Sequence, residues 1–309
     1  MDIHDLQEMQ AWPLQDKVFH TITTIQSFMN RVDDMRGRHC DNINQQSKGF
    51  YISFSGGKDS TVLLDIVRRF IDPTFPAVFC NTGTEYPEIL QFVKGYKDVQ
   101  IISPKTSFKR VLEKYGFPLV SKYVSHGVNR VKHTRSEKEY LLYMGEDKNY
   151  SIPKKYRFLI NMPFDCSDKC CECLKKKPFK DYENLYHRYP ILGVTCQESN
   201  QRKLQWVKDG GCNYYSNHRS ISKPMSIWLE SDVWDYISKV GLKISPIYDN
   251  LPENQKRTGC MVCGFSINGL RDRLKLIKTM YPKIYDFYMN IENNGTTFQK
   301  ALNCVMYLD

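Results

Sequence analysis

SFSGGKDS, residues 53–60, is the stretch whose reading decides the fold. It overlaps the end of GFYISFS (49–55), a short apolar run opened by glycine that reads as a buried strand. TVLLDIVRRFI (61–71) follows with helical apolar spacing and a stop at Asp72-Pro73. A strand that passes through two glycines into a helix aims the helix's open amides at an anion. Gly56 and Gly57 let the backbone approach a ligand in torsions costly for other residues. Ser53, Ser55 and Ser60 add hydroxyl donors, and Lys58 adds a point charge. Asp59 repels phosphate unless it faces away, caps the helix or carries magnesium. The spacing is not the GxxxxGK[ST] of a P-loop NTPase, so a different anion loop is implied.

Working outward, residues 14–36 place Val18, Phe19, Ile22, Ile25, Phe28, Met29 and Val32 at helical spacing. PAVFCNTG reads as a second strand turning at Gly83, and VQIIS (99–103) as a third, with a helix over roughly 106–115. Strand alternating with helix predicts a parallel sheet in an α/β domain. Residues 121–165 are basic, aromatic and weakly periodic, and read as an insert that is partly loop or lid. PILGVT (190–195) resumes the strands, and QESNQRKLQWVKDG reads as helix up to Gly210-Gly211. SKPMSIWLESDVWDYISKVG is a turn into a helix, with Ser231 as the expected cap. LRDRLKLIKTMYPKIYDFYMN reads as helix interrupted or restarted near Pro282, and the tail after Asn294 carries no signal.

Composition narrows the class. The chain is 41% hydrophobic and 25% charged, ordinary for a soluble enzyme, and no apolar run is long enough to span a bilayer. MDIHDLQEMQ is too acidic and polar for a secretory signal, so a cytoplasmic location without a membrane partner is expected. Lys plus Arg total 44 against 34 Asp plus Glu, a formal charge of +10 that suits a nucleotide or a polynucleotide. The eleven cysteines then read as metal ligands or reactive thiols rather than a disulfide frame. Cys166, Cys170, Cys171 and Cys173 crowd together, and Cys260 and Cys263 form a CxxC. Cys40, Cys80, Cys196, Cys212 and Cys304 stand alone and read first as packed thiols. On composition, zinc, another soft metal centre and simple packing all remain open.

SFSGGKDS resembles the PP-loop of the adenine nucleotide α-hydrolase-like superfamily. That group includes ATP pyrophosphatases and the reductases of adenosine phosphosulfate (APS) and its 3′-phosphorylated form (PAPS). NTGTEYPE (81–88) resembles the reductases' DTGxxFPET, with Asn81 at the usual aspartate. GVTCQESNQR (193–202) resembles GxRxxQSxxR, with Thr195 at the first arginine. KPMSIWLESDVWDYI (223–237) resembles PLxxWxxxDVWxYI. Together these resemble the PAPS/APS reductase family over roughly residues 50–265. The resemblance implies a parallel-sheet, PP-loop, Rossmann-like three-layer fold with a cysteine-rich cluster-binding region. It implies an N-terminal helical segment (1–45), the reductase-like domain (46–265) with its basic insert (121–165), and a helical extension (266–309). It also implies an adenine nucleotide pocket formed by Ser53, Ser55, Gly56, Gly57, Lys58, Asp59, Ser60, Thr82, Gly83, Gly193, Glu198, Ser199 and Arg202.

CCECLKKKP (170–178) resembles the CCxxRKxxPL of APS-type reductases, in which a later CxxC completes a [4Fe–4S] site. The implied ligands are Cys170, Cys171, Cys260 and Cys263, with zinc as the alternative metal and Lys175 at the motif's basic position. The reductases' terminal ECGLH-like segment is absent, and QKALNCVMYLD offers Cys304 in its place. The leading expectation is a PAPS/APS reductase-type enzyme with Lys58, Asp59 and Cys304 as catalytic groups. It would release sulfite and an adenosine nucleotide using a thiol donor such as thioredoxin or glutathione. One alternative is an ATP pyrophosphatase that uses Mg²⁺ at Asp59 and adenylates a substrate during sulfur transfer to DNA or tRNA. The other is a non-catalytic nucleotide-binding or cluster-sensing subunit.

Overall fold

The computed structural model describes residues 1–37, 42–145, 151–216, 219–252, 257–265 and 269–306; Cys40 lies outside the described residues. The chain divides into two compact units. The first comprises Met1–Cys80, Pro87–Ile102 and Phe179–Pro246. The second comprises Asn81–Tyr86, Ser103–Pro178 and Ile247–Asp309.

The first unit holds a six-stranded sheet built from β1 (Phe50–Ser53), β2 (Ala77–Cys80), β3 (Val99–Ile102), β4 (Tyr189–Leu192), β5 (Asn213–Tyr214) and β6 (Ile221–Ser222). The strand order is β3-β2-β1-β4-β6-β5, parallel except for the β5–β6 pair. Strand β1 shows why helices cover both faces, since successive side chains point to opposite sides. Phe50 meets Phe28 of the Leu14–Met35 helix with ring centroids 5.7 Å apart. Tyr51 points the other way and packs against Phe179 at 6.0 Å and Tyr182 at 5.0 Å. Phe50, Tyr51 and Ile52 are all buried, so the unit is three layers deep around this strand.

Strand order reverses direction at β1, which pairs with β2 on one side and β4 on the other. In a parallel sheet such a reversal opens a crevice beyond the strands' carboxyl ends, because the two connections leave in opposite directions. The register aligns Ser53 with Leu192, so SFSGGKDS and GVTCQES leave the sheet at the same end. The Lys58–Phe70 helix begins directly after the two glycines.

The second unit is mainly helical. Phe117 stacks on Phe298 at 5.1 Å and tilts against Phe164 at 5.7 Å, which ties three distant segments into one core. Asn293 is buried, accepts from the Asp165 amide at 2.8 Å, and donates to the carbonyls of Leu112 and Glu113.

Four local readings change. Residues 121–165 are largely helical, with helices at Lys122–His133 and Glu137–Met144 and a 3₁₀ segment at Lys154–Asn161. Ser231 is not a cap: the helix runs Glu230–Val240, and Asp232 accepts from the Leu229 amide at 2.7 Å. An additional helix, Ile3–Gln10, opens on an Asp2/Asp5 capping box. The tail forms a hairpin, Glu292–Asn293 with Thr296–Thr297, and a helix, Phe298–Met306. Pro282 does restart a helix, as first residue of Pro282–Met289.

Candidate functional site: an anion loop and a thiol cavity

The loop after β1 is locked by its own side chains. The Ser60 hydroxyl accepts from the Ser55 amide at 3.1 Å and donates to the Gly57 carbonyl at 3.0 Å. Ser55 Oγ and Ser60 Oγ stand 2.9 Å apart, and Thr61 Oγ1 donates to the same Gly57 carbonyl at 2.9 Å. Ser60 and Thr61 are buried, so they fix the loop's shape, whereas Ser55 is exposed and faces solvent. Gly56 has φ +71°, and a Cβ there would stand 2.8 Å from Val93 Cγ2. Gly193, the first residue after β4, passes so close that its Cβ would lie 3.0 Å from Ser60 Cα. Both glycines are therefore required by close approach. The first-turn amides of the Lys58–Phe70 helix have no intrahelical acceptors and open onto this turn.

Lys58 is 4% exposed, and its Nζ meets Asp59 Oδ1 at 3.0 Å and Glu230 Oε1 at 3.5 Å. The same ammonium stands 6.0 Å from the ring centre of Trp234. Ser53 ends β1 half-buried. Within GVTCQESNQR, Thr195 and Glu198 form a reciprocal cap, Ser199 caps the Asn200–Asp209 helix, and Arg202 pairs with Glu198. The sequence reading missed Glu230, Trp234 and Gln197, whose Oε1 accepts the Glu230 amide at 2.6 Å. The DVW motif marked the helix of Glu230 and Trp234 but gave no sign of which residues face the loop.

In the second unit, the loop Asn81–Tyr86 is organised by a residue that the sequence reading passed over. Glu85 accepts from the Thr82 amide at 3.0 Å and from its hydroxyl at 2.6 Å. Gly83, at φ +77°, accepts a hydrogen bond from the Tyr288 hydroxyl. The Thr84 carbonyl accepts from the Met261 amide at 2.8 Å, which joins this loop to the CxxC turn.

Cys170, Cys171, Cys260 and Cys263 line one cavity, with Phe108, Pro118, Leu174 and Lys175. Helical spacing explains half of this set: Cys170 and Leu174, and Cys171 and Lys175, are i, i+4 pairs on one face. The helix loosens into a π turn at Glu172–Lys176. Such a turn is a frequent companion of functional sites. Gly264, after the CxxC, lies so close to Pro118 that its Cβ would fall 2.1 Å from the carbonyl oxygen. The hydrogen bond with Cys170 and the Lys122, Lys175 and Lys176 ammoniums hold the Cys171 thiol low. Cys170 is pushed up by that same bond and by burial. Burial also raises Cys263, and Lys175 is raised chiefly by Cys260, with Glu85 and Cys171 adding to it.

Four thiols around an apolar cavity form a soft donor set of the kind that an iron–sulfur cluster takes. Among the described residues, no three Cys, His, Asp or Glu side chains are arranged around a single metal ion. Cys166 and Cys173 do not line the cavity; Cys166 is fully buried, and its thiol is pushed up by burial to about 12. Cys304 is half-buried on the Phe298–Met306 helix and is also outside that lining.

Two cations of the basic stretch 122–135, Arg130 and Lys132, are paired with carboxylates of the same unit. Lys132 donates to the Met162 and Phe164 carbonyls, both at 2.8 Å, and pairs with Asp165 at 3.0 Å. Arg130 pairs with Glu139, and His126 approaches Asp168 at 3.5 Å. Among the described residues, no helix is long and apolar enough to cross a membrane.

Residues 49–151 match the family model of the phosphoadenosine phosphosulfate reductase domain. An uncharacterized protein of Methanocaldococcus jannaschii is 26% identical over 245 residues, which span 77% of this chain and 46% of that protein. Sulfate adenylyltransferase subunit 2 of Shewanella sp. (strain ANA-3) is 25% identical over 212 residues, 63% of this chain and 58% of that one. The chain spans about half the length of the curated relatives it matches. A solved phosphoadenylyl-sulfate (PAPS) reductase of Candida auris, in a phosphate complex, aligns with a TM-score of 0.38 at 13% identity, covering 68% of this chain and 80% of that one. The anion loop at the switch point of the parallel sheet thus lies within residues 49–151, the stretch of this chain that is similar to the phosphoadenosine phosphosulfate reductase domain.

Proposed function

We propose that the protein is an ATP-consuming PP-loop enzyme that adenylates an acceptor and releases pyrophosphate. The observation that carries this reading is the Asp59 carboxylate, held bidentate on Lys58 Nζ at 3.0 and 3.2 Å within the anion loop. A carboxylate there opposes a bare phosphosulfate but suits a nucleotide that arrives with magnesium. Magnesium bound at that carboxylate would offset the charge that builds on the departing pyrophosphate. Lys58 and the first-turn amides would hold the β and γ phosphates, leaving the α phosphorus exposed to the acceptor. The acceptor oxygen bonds to the α phosphorus and loses its proton to solvent. The α–β P–O bond breaks, and its electron pair leaves with pyrophosphate. The similarity to a sulfate adenylyltransferase subunit supports an adenylyl transfer of this class.

A second reading is favoured by the family match over residues 49–151. In it the pocket binds APS or PAPS, and the Cys304 thiolate attacks sulfur. The S–O bond breaks toward the nucleotide, and a donor thiol then displaces sulfite, leaving a disulfide. In either reading, Cys170, Cys171, Cys260 and Cys263 would hold a [4Fe–4S] cluster, or zinc in its place, and bring a compact charged centre beside Lys175. An anaerobic assay of ATP, APS and PAPS, each with magnesium and a dithiol, separates the readings. AMP and pyrophosphate formed from ATP with an acceptor support adenylation. Sulfite from APS or PAPS, with inert ATP, would overturn it.

A further inference from the structure

We infer that Glu230 is a specificity-determining residue that makes the PP-loop select anions complexed with a divalent cation over bare anions. The inference rests on the adenylation reading and deepens it. The Lys58 ammonium faces two carboxylates, Asp59 at 3.0 Å and Glu230 at 3.5 Å. These three side chains together carry one more negative than positive formal charge, although lysine is the most prominent of them. A bare polyanion must approach against that charge, and a divalent cation reverses it.

Asp59 is the loop's own residue, but Glu230 comes from a separate helix with a fixed mount. Its amide donates to Gln197 Oε1 at 2.6 Å, so the β4 loop holds the start of the Glu230–Val240 helix. Two positions on, Asp232 accepts from the Leu229 amide at 2.7 Å and from Lys17 Nζ at 2.5 Å. Lys17 is 1% exposed and also donates to the Gln10 carbonyl at 2.7 Å. The backbone that carries this carboxylate is therefore fixed beside the loop. The Glu230 side chain is 43% exposed, which leaves it open to solvent and to a hydrated cation.

The test is calorimetric binding of inorganic pyrophosphate, and separately of APS, to the whole protein with magnesium and with chelator. The Glu230→Gln variant is expected to bind bare pyrophosphate about tenfold tighter than the unaltered protein, from removal of one charge several ångströms away. The gain should vanish in magnesium, so the ratio of the two affinities shrinks. Glu230→Asp keeps the charge and should keep the ratio. Asp235→Asn removes a charge from an exposed position on the same helix and should also keep it. An unchanged ratio in Glu230→Gln, or an equal shift in Asp235→Asn, overturns the inference. If Glu230→Gln does not fold, Glu230→Ser carries the same comparison. Failure of ATP turnover would sink the adenylation reading but leave these binding ratios to judge Glu230 independently.

Discussion

Replacing Gly56 with alanine should do more damage than replacing any ordinary turn glycine, and the structure indicates by how much. Gly56 sits at φ +71°, where an L side chain costs about 1–2 kcal/mol. Its new Cβ would also stand 2.8 Å from Val93 Cγ2 and 3.0 Å from Ile89 Cγ2. Both neighbours are fully buried and β-branched, so neither can rotate aside cheaply. Overpacking of that kind costs about 1–3 kcal/mol, for a total of about 2–5 kcal/mol. Gly210 supplies the control: its φ is +74°, it ends the Asn200–Asp209 helix, and nothing lies within 4 Å of its would-be Cβ. Gly210→Ala should therefore lose only the torsional part, about 1 kcal/mol. Urea titration of both variants, followed by circular dichroism, measures the gap, expected at about 1–3 kcal/mol. Equal losses would refute the claim that the loop is pressed against the Pro87–Lys94 helix.

Serine at any one of Cys170, Cys171, Cys260 or Cys263 should lower iron and acid-labile sulfide per chain after anaerobic purification, whereas Cys166→Ser and Cys173→Ser should retain both; stoichiometric zinc without iron would reassign the site. Cys304→Ser should leave pyrophosphate release from ATP unchanged, and a loss of turnover would restore the thiol mechanism. Lys17→Met should cost about 3 kcal/mol by stranding Asp232 beneath the helix start, read as a fall in urea midpoint. With its thiol raised to about 12 and fully buried, Cys166 should resist iodoacetamide at pH 8 until the protein unfolds. Mass spectrometry of alkylated peptides before and after urea checks this directly.

The anion loop was legible because its determinants are local. An apolar strand, two glycines and a helix start lie within one short run, and each acts on its immediate neighbours. The β1–β4 crevice was less so, since strand order is a property of distant pairings. Residues 121–165 read only as a basic insert, partly loop or lid, because lysines, arginines and histidines obscure the period. Val124, Val128 and Val131 nevertheless stand at helical spacing and are buried, while Lys132 and Arg130 are absorbed by carbonyls and carboxylates of the same unit. Ser231 misled for a related reason: serine is a common cap, but Asp232 reaches the backbone first. Glu85 and Glu230 lie inside recognised motifs, NTGTEYPE and KPMSIWLESDVWDYI, but at positions the motifs leave unspecified. Each is an ordinary surface-type residue whose role depends on which distant group the fold brings to it.

Those two glutamates also bear on the chemistry. A thiol-based reduction requires a sulfur atom brought to roughly 3–3.5 Å from the bound sulfonyl group, in line with the bond that breaks. Adenylation requires no thiol: its demands are an anion cradle, a cation for the leaving group and access to the α phosphorus. The unit that contains SFSGGKDS has the cradle in Ser55 and the first-turn amides, and has carboxylates at Asp59 and Glu230. If the loop served a bare phosphosulfate, the Glu230 carboxylate would oppose its own substrate, and removing it would improve binding with magnesium as well as without. The magnesium dependence of anion affinity is therefore a property of the protein that can be read before any turnover is measured.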